Sequence, residues 1–176
     1  PLLQEAFLFE LLNRCRKSGI HTALDTSGYA TRDAMAHIAP LAGLVLFDLK
    51  IMDHSLHLKY TGVSNIPILE NLKYLSGKEI PFILRFPVIP GINDTAANVG
   101  DMKAFITSSL MKGRYAPGNG EQLQISLLPY HAMAREKYRR FCKTNRMEGI
   151  PDLDPGLLVP LKEQFEAIGL KVTTGS

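Results

Sequence analysis

The sequence predicts an α/β protein whose parallel strands and outer helices form part of a (β/α) barrel, with about four strands in its body. Helical and extended patterns alternate along the chain. The extended runs are almost continuously apolar, as strands covered on both faces are. Four of them end at ionisable side chains: LDT at Leu24 to Thr26, FDLK at Phe47 to Lys50, LRF at Leu84 to Phe86, and LLPYH at Leu127 to His131. Parallel strands joined by helices bring all their C-terminal ends to one rim, where such folds bind ligands. That rim would gather Asp25, Thr26, Asp48, Lys50, Arg85 and His131.

Residues 4–18 carry apolar side chains at spacings of three and four and close at Gly19, predicting an amphipathic helix with a glycine C-cap. Cys15 falls on the stripe of Phe7, Leu8, Leu11 and Leu12 and reads as a buried thiol. A strand from Ile20 to Thr26, the turn Ser27-Gly28, and a short helix from Thr31 to Pro40 with Asp33 in its first turn follow. The next strand is Leu44 to Lys50. A helical turn at 53–60 leads to the loop TGVSN, with Asn65 as N-cap and Pro67 in the first turn of a helix packing through Ile68, Leu69, Leu72 and Leu75. The third strand is Pro81 to Ile89, and a helix starts near Asn93 to Thr95 with Val99, Met102, Phe105 and Ile106 inward. Lys112 to Glu121 reads as the loop with the least order. Then come a strand from Gln122 to Leu128, a basic helix from about Met133, a helix near Leu157 to Ala167, and a short strand from Leu170.

At 176 residues the chain is one domain by length and can bury about 70% of its unfolded surface. Its 45% hydrophobic and 21% charged content excludes disorder and low complexity. No apolar run nears the roughly 20 residues of a membrane span, so a cytoplasmic location without membrane contact is expected. A net charge of +3 without a recognition motif gives no expectation of nucleic acid. The basic stretch Arg135 to Arg146 reads as a solvated face, or else as a dock for an acidic partner. The two cysteines, Cys15 and Cys142, form neither a disulfide framework nor a CxxC pair.

Asp48 and Lys50 are two apart on a strand and share a face with Leu46. Charges there need pairing or a ligand, so an internal ion pair competes with a binding site. Asp25, Thr26 and Asp48 offer hard oxygen donors suited to a monovalent or alkaline-earth cation, although Asp-Thr-Ser-Gly by itself is an ordinary turn. Arg85, set among Phe82, Ile83, Leu84 and Phe86, requires a carboxylate, a phosphate or a wet cavity. His131 at a strand end is a candidate site residue. His54 and His57 have metal-compatible spacing without a third ligand and read as surface histidines. No phosphate loop, nucleophile elbow, HExxH or zinc set is present, so Lys50 is the sole evident nucleophile and no residue is singled out as catalytic.

In this order and spacing, HTALDTSGYA, LFDLK, YTGVSN, LRFPVIPGIND and LLPYH resemble the activating enzymes of glycyl radical enzymes, such as the pyruvate formate-lyase activating type, in the radical S-adenosylmethionine superfamily. The resemblance spans the whole chain. It implies a (β/α)6 barrel, with the chain as a single truncated domain, 1–176, beginning just after the GGE motif. It also implies S-adenosylmethionine and a 4Fe–4S cluster in a full-length parent, held by a CxxxCxxC loop that this sequence lacks. Asp25, Asp48, Lys50, Arg85 and His131 match cosubstrate-binding positions, and Asp25, Thr26, Asp48 and the Leu46 carbonyl match a monovalent cation site.

The implied activity is hydrogen abstraction from a glycine of a partner glycyl radical enzyme by a 5′-deoxyadenosyl radical, with flavodoxin or ferredoxin as electron donor. The chain without cluster cysteines is expected to be inactive. A Schiff-base lyase using Lys50 and a non-catalytic docking module are the alternatives. Since the chain starts at Pro1 on a helix, it reads as cut from a longer one, and its first strand is expected to be an open edge prone to self-association.

Overall fold

The computed structural model describes residues 1–131, 140–141 and 149–175. Five parallel strands form one sheet in sequence order: β1 (Ala23–Thr26), β2 (Leu44–Asp48), β3 (Phe82–Val88), β4 (Gln124–Pro129) and β5 (Lys171–Thr174). The fifth is the short strand expected from Leu170, so the sheet is one strand wider than the body of four. The helices are α1 (Glu5–Lys17), α2 (Arg32–Ile38), α3 (His54–Thr61), α4 (Ile66–Gly77), α5 (Ala96–Phe105) and α6 (Val159–Glu166). Consecutive parallel neighbours with intervening helices make a partial (β/α) barrel.

Alternation along the strands separates two faces. On β3, Phe82, Leu84, Phe86 and Val88 are buried while Ile83, Arg85 and Pro87 are half-buried. The buried set joins Val45 and Phe47 of β2 in one core with Met35, Ile38, Leu72, Leu75, Met102 and Phe165 of the helices. The helices therefore cover one face. The opposite face is more open, and the registers Asp48↔Arg85, Arg85↔Ser126 and Ser126↔Thr173 lay a polar row across it.

Two expectations fail locally. Only Leu8 and Leu12 of the α1 stripe are buried, whereas Phe7 and Leu11 are exposed and Cys15 is half-buried, because α1 meets the body along a narrow line. The stretch 112–121 is tied down: Tyr115 is buried edge-on against Phe82, and Arg114 makes two 2.8 Å bonds to Glu121. Asn65 is the N-cap of α4, as expected, although its side chain makes no cap bond because its amide is used elsewhere. Among the described residues, no helix is long and apolar enough to cross a membrane.

Candidate functional site

Four of the sequence-predicted residues meet on the open face at the strand ends. Asp48 closes β2, and Lys50, two residues on, returns its Nζ to Asp48 Oδ2 at 2.9 Å. The neighbouring strand sets Arg85 in register with Asp48, and Arg85 Nε donates to Asp48 Oδ1 at 2.9 Å. Its far edge donates to the Asp25 carboxylate as well, through Nη1 to Oδ2 at 2.9 Å and through Nη2 to Oδ1. One guanidinium thus bridges two carboxylates, a fork geometry that lysine could not supply.

The exposure gradient is steep: Asp48 and Arg85 side chains are 19% and 20% exposed, whereas Asp25 is 60% exposed. Burial alone lowers the Arg85 pKa, but hydrogen bonds and charge from Asp25 and Asp48 outweigh it and hold the group above its ordinary value. The two cations and two anions cancel. Further along the row the sheet turns neutral, as Thr173 Oγ1 donates to Ser126 Oγ at 3.1 Å and Ser126 Oγ donates to the Gly175 carbonyl at 3.1 Å.

The loops carrying these residues are fixed by a glycine and buried amides, of which Asn71 and Asn98 are not marked by any motif in the sequence. Gly28 has φ +73°, and any Cβ there would be driven into the Phe47 ring. Asn71 of α4, 2% exposed, donates to the Gly28 and Ala30 carbonyls, both at 2.9 Å. Behind β2, Asn93 and Asn98 both donate to the Lys50 carbonyl at 3.2 Å, while Asn65 donates to the Met52 carbonyl at 2.7 Å. A signal existed for Asn71: it lies on the stripe Ile68, Leu72, Leu75, where an apolar residue is expected.

Other predicted positions lie apart. Thr26 alternates to the opposite face from Asp25, is buried, and accepts from Gly28 N at 3.0 Å. Leu46 sits in register with Asp25. His131 follows β4 with its Nδ1 3.9 Å from Asp152 Oδ2, outside the Asp25–Arg85–Asp48–Lys50 cluster. Cys142 lies outside the described residues, as does the basic stretch 135–146 apart from 140 and 141. Among the described residues no three His, Cys, Asp or Glu side chains gather as a metal-ligand set.

His57 is not at the surface. It is 4% exposed, because α3 turns it toward the sheet, while His54 faces solvent. Its Nδ1 lies 2.8 Å from the Val63 carbonyl and therefore carries the proton. Burial lowers its pKa below 6.5, the Val63 bond opposes this, and Lys50 and His54 add to the lowering. His57 also lines a cavity of about 330 Å³ beside the ion-pair cluster, together with Ser27, Tyr29, Lys50, Ile51 and Leu69.

Comparison with solved structures defines the class. A radical SAM methyltransferase from Sphaerobacter thermophilus superposes with a TM-score of 0.59 at 13% identity over 89% of this chain and 41% of its own. Streptococcus suis SuiB, solved bound to S-adenosylmethionine, gives 0.56 at 14% over 96% of this chain and 34% of its own. The fold is therefore that of the radical SAM barrels. A domain of pyruvate-formate lyase-activating enzyme from Bacteroides vulgatus gives a TM-score of 0.77 at 28% identity, covering all of this chain and 94% of that one.

Sequence relatives narrow the class to a family. The isethionate sulfite-lyase activating enzyme of Nitratidesulfovibrio vulgaris is 39% identical over 78% of this chain and 42% of its own length. The (2S)-3-sulfopropanediol dehydratase activating enzyme of Klebsiella oxytoca is 35% identical over 85% and 45%. The trans-4-hydroxy-L-proline dehydratase activating enzyme of Clostridioides difficile is 33% identical over 96% and 53%. The chain is homologous to activating enzymes of glycyl radical enzymes. No protein-family profile matches it, and it spans about half the length of these curated relatives.

Proposed function

We propose that the chain is the cosubstrate-binding part of an enzyme that installs a glycyl radical on a partner protein. The arrangement that carries this reading is the guanidinium of Arg85 bridging Asp25 and Asp48, with Lys50 on the second Asp48 oxygen, at the strand ends of a radical SAM barrel. The methionine end of S-adenosylmethionine is a zwitterion. Lys50 and Arg85 are the groups to receive its carboxylate, and Asp48 and Asp25 its ammonium. When bound, that cosubstrate supplies the hydrogen-abstracting chemistry.

The protein's own part is to hold the ligand and keep its charges paired. Exchange is isoelectric: the incoming carboxylate takes a cation from an aspartate, and the incoming ammonium replaces it. A monovalent cation at Asp25, Asp48 and the Leu46 carbonyl would require Arg85 to release one carboxylate, with the Thr26 hydroxyl already engaged by Gly28. A 4Fe–4S cluster does not fit this chain's residues, since its two cysteines are too few thiolates. Partner and electron donor, including flavodoxin or ferredoxin, belong to the same proposal.

A Schiff-base lyase requires a Lys50 Nζ free to attack a carbonyl, whereas here it is bonded to Asp48 Oδ2 at 2.9 Å. The test uses the intact, reduced parent enzyme carrying Arg85→Ala or Asp48→Ala. Each variant should release 5′-deoxyadenosine at least about tenfold more slowly, the effect of losing one charge-assisted bond. Wild-type rates in both would overturn the assignment.

A further inference from the structure

The cavity beside Lys50 is lined by a histidine whose second ring nitrogen has no partner among the described residues. His57 spends its Nδ1 proton on the Val63 carbonyl, which leaves Nε2 as a bare lone pair. Among the described residues every fully buried side-chain nitrogen or oxygen has a partner and none is found for Nε2, so Nε2 is not sealed in the core, and His57 is part of the cavity wall. The wall supplies donors as well, from the Ser27 and Tyr29 hydroxyls. Ile51, Ile68 and Leu69 complete it with apolar surface.

Lys50 and Asp48, at one edge of the cavity, are the groups given to the cosubstrate, and the rest of the wall is uncharged, so the complementary ligand there is uncharged, donates and accepts, and carries an apolar group. A peptide residue has this chemistry: one N–H, one C=O and a side chain, at a size suited to about 330 Å³. We infer that this cavity holds one apolar residue of the partner polypeptide, beside the glycine to be activated, with a peptide N–H donated to His57 Nε2. The inference rests on the reading that the partner's glycine is the substrate. It adds a recognition subsite, formed by α3, α4 and the loop after β1, to the ion-pair cluster. Burial keeps His57 neutral and so keeps Nε2 an acceptor.

The chain as it stands, with ¹⁵N-labelled histidine and arginine, tests this by long-range ¹H–¹⁵N correlation. The probes are acetyl-Ala-Gly-Ala-amide, acetyl-Val-Gly-Val-amide, acetyl-Leu-Gly-Leu-amide and, separately, S-adenosylhomocysteine. The blocked peptides should shift His57 Nε2 saturably, with affinity rising about tenfold or more from Ala to Leu as methylene groups are added. Leu69→Trp, which fills the cavity and leaves His57 in place, should abolish the shift. His57→Gln should weaken binding followed through the peptide's own resonances. No shift with any peptide overturns the subsite, and a His57 shift with S-adenosylhomocysteine alone assigns the cavity to the cosubstrate and overturns it too. The Arg85 Nε resonance separates the two readings. If it responds to S-adenosylhomocysteine while the peptides do nothing, the subsite fails alone. If it does not respond, the cosubstrate assignment fails whatever the peptides do.

Discussion

The two halves of the open sheet face solve the same problem with different chemistry. Across β1 to β3 the polar row is ionic, with Asp25, Arg85, Asp48 and Lys50 bonded in a chain. Across β4 and β5 it is neutral, with Thr173, Ser126 and the Gly175 carbonyl bonded in series. Hydroxyls can satisfy one another at modest cost to the fold. Charges on a partly desolvated face are costly unless each is matched, so the ionic half is a specialised arrangement and the neutral half is structural.

Replacing Arg85 should separate the halves most strongly. Arg85→Met strips the counter-charge from two carboxylates, one of them largely desolvated, and should cost about 2–3 kcal/mol in urea unfolding, reduced from a fully buried pair by its residual exposure. A loss no larger than that of a hydroxyl on β4 would erase the distinction.

Next comes the buried amide behind the ionic half. Asn71→Ala leaves the Gly28 and Ala30 carbonyls without their donor and should cost about 1–2 kcal/mol, read as a lower urea midpoint at unchanged slope.

A pH series probes the same side through His57, whose pKa is depressed in the fold mainly by burial. Well above pH 6.5 both folded and unfolded forms are neutral there, and no stability is at stake. As pH falls through that value the unfolded chain takes the proton first, so stability drops, by less than about 1.4 kcal/mol per pH unit, until the folded pKa is reached. Comparing unfolding at successive pH values for wild type and His57→Gln isolates the term, with Lys50 and His54 the charges facing the ring. An identical pH dependence in both would remove it.

The smallest effect belongs to the neutral half: Ser126→Ala should cost under about 1 kcal/mol, since Thr173 can turn its hydroxyl to another acceptor.

Much of this was legible in the sequence, for reasons that can be named. The strand-end motifs carry their own geometry: period two puts Asp48 and Lys50 on one face, and parallel order brings Arg85 beside them. The same rule, applied to Asp25 and Thr26, would have placed Thr26 on the other face, where it lies. What was not legible depended on distant partners. Asn65 is the helix cap it was read as, but its amide also serves the Ile51 and Met52 carbonyls, contacts across 14 and 13 residues that no local pattern encodes. His57 looked like a surface residue because α3 is short and weakly amphipathic, so its inward side could not be read from its sequence. The residues 112–121 looked loose because Gly and Pro dominate there, while Tyr115 and Arg114 anchor them.

The cancellation of charge in the Asp25–Arg85–Asp48–Lys50 cluster has a kinetic consequence. A neutral site casts little field beyond its own dimensions, and a zwitterion arriving at it feels little long-range pull. Raising ionic strength should therefore leave the capture rate almost unchanged, because screening has nothing to weaken until donor and acceptor are in contact. Selectivity at such a site is exercised at close range: a ligand carrying only one of the two charges would leave an aspartate or the arginine stranded.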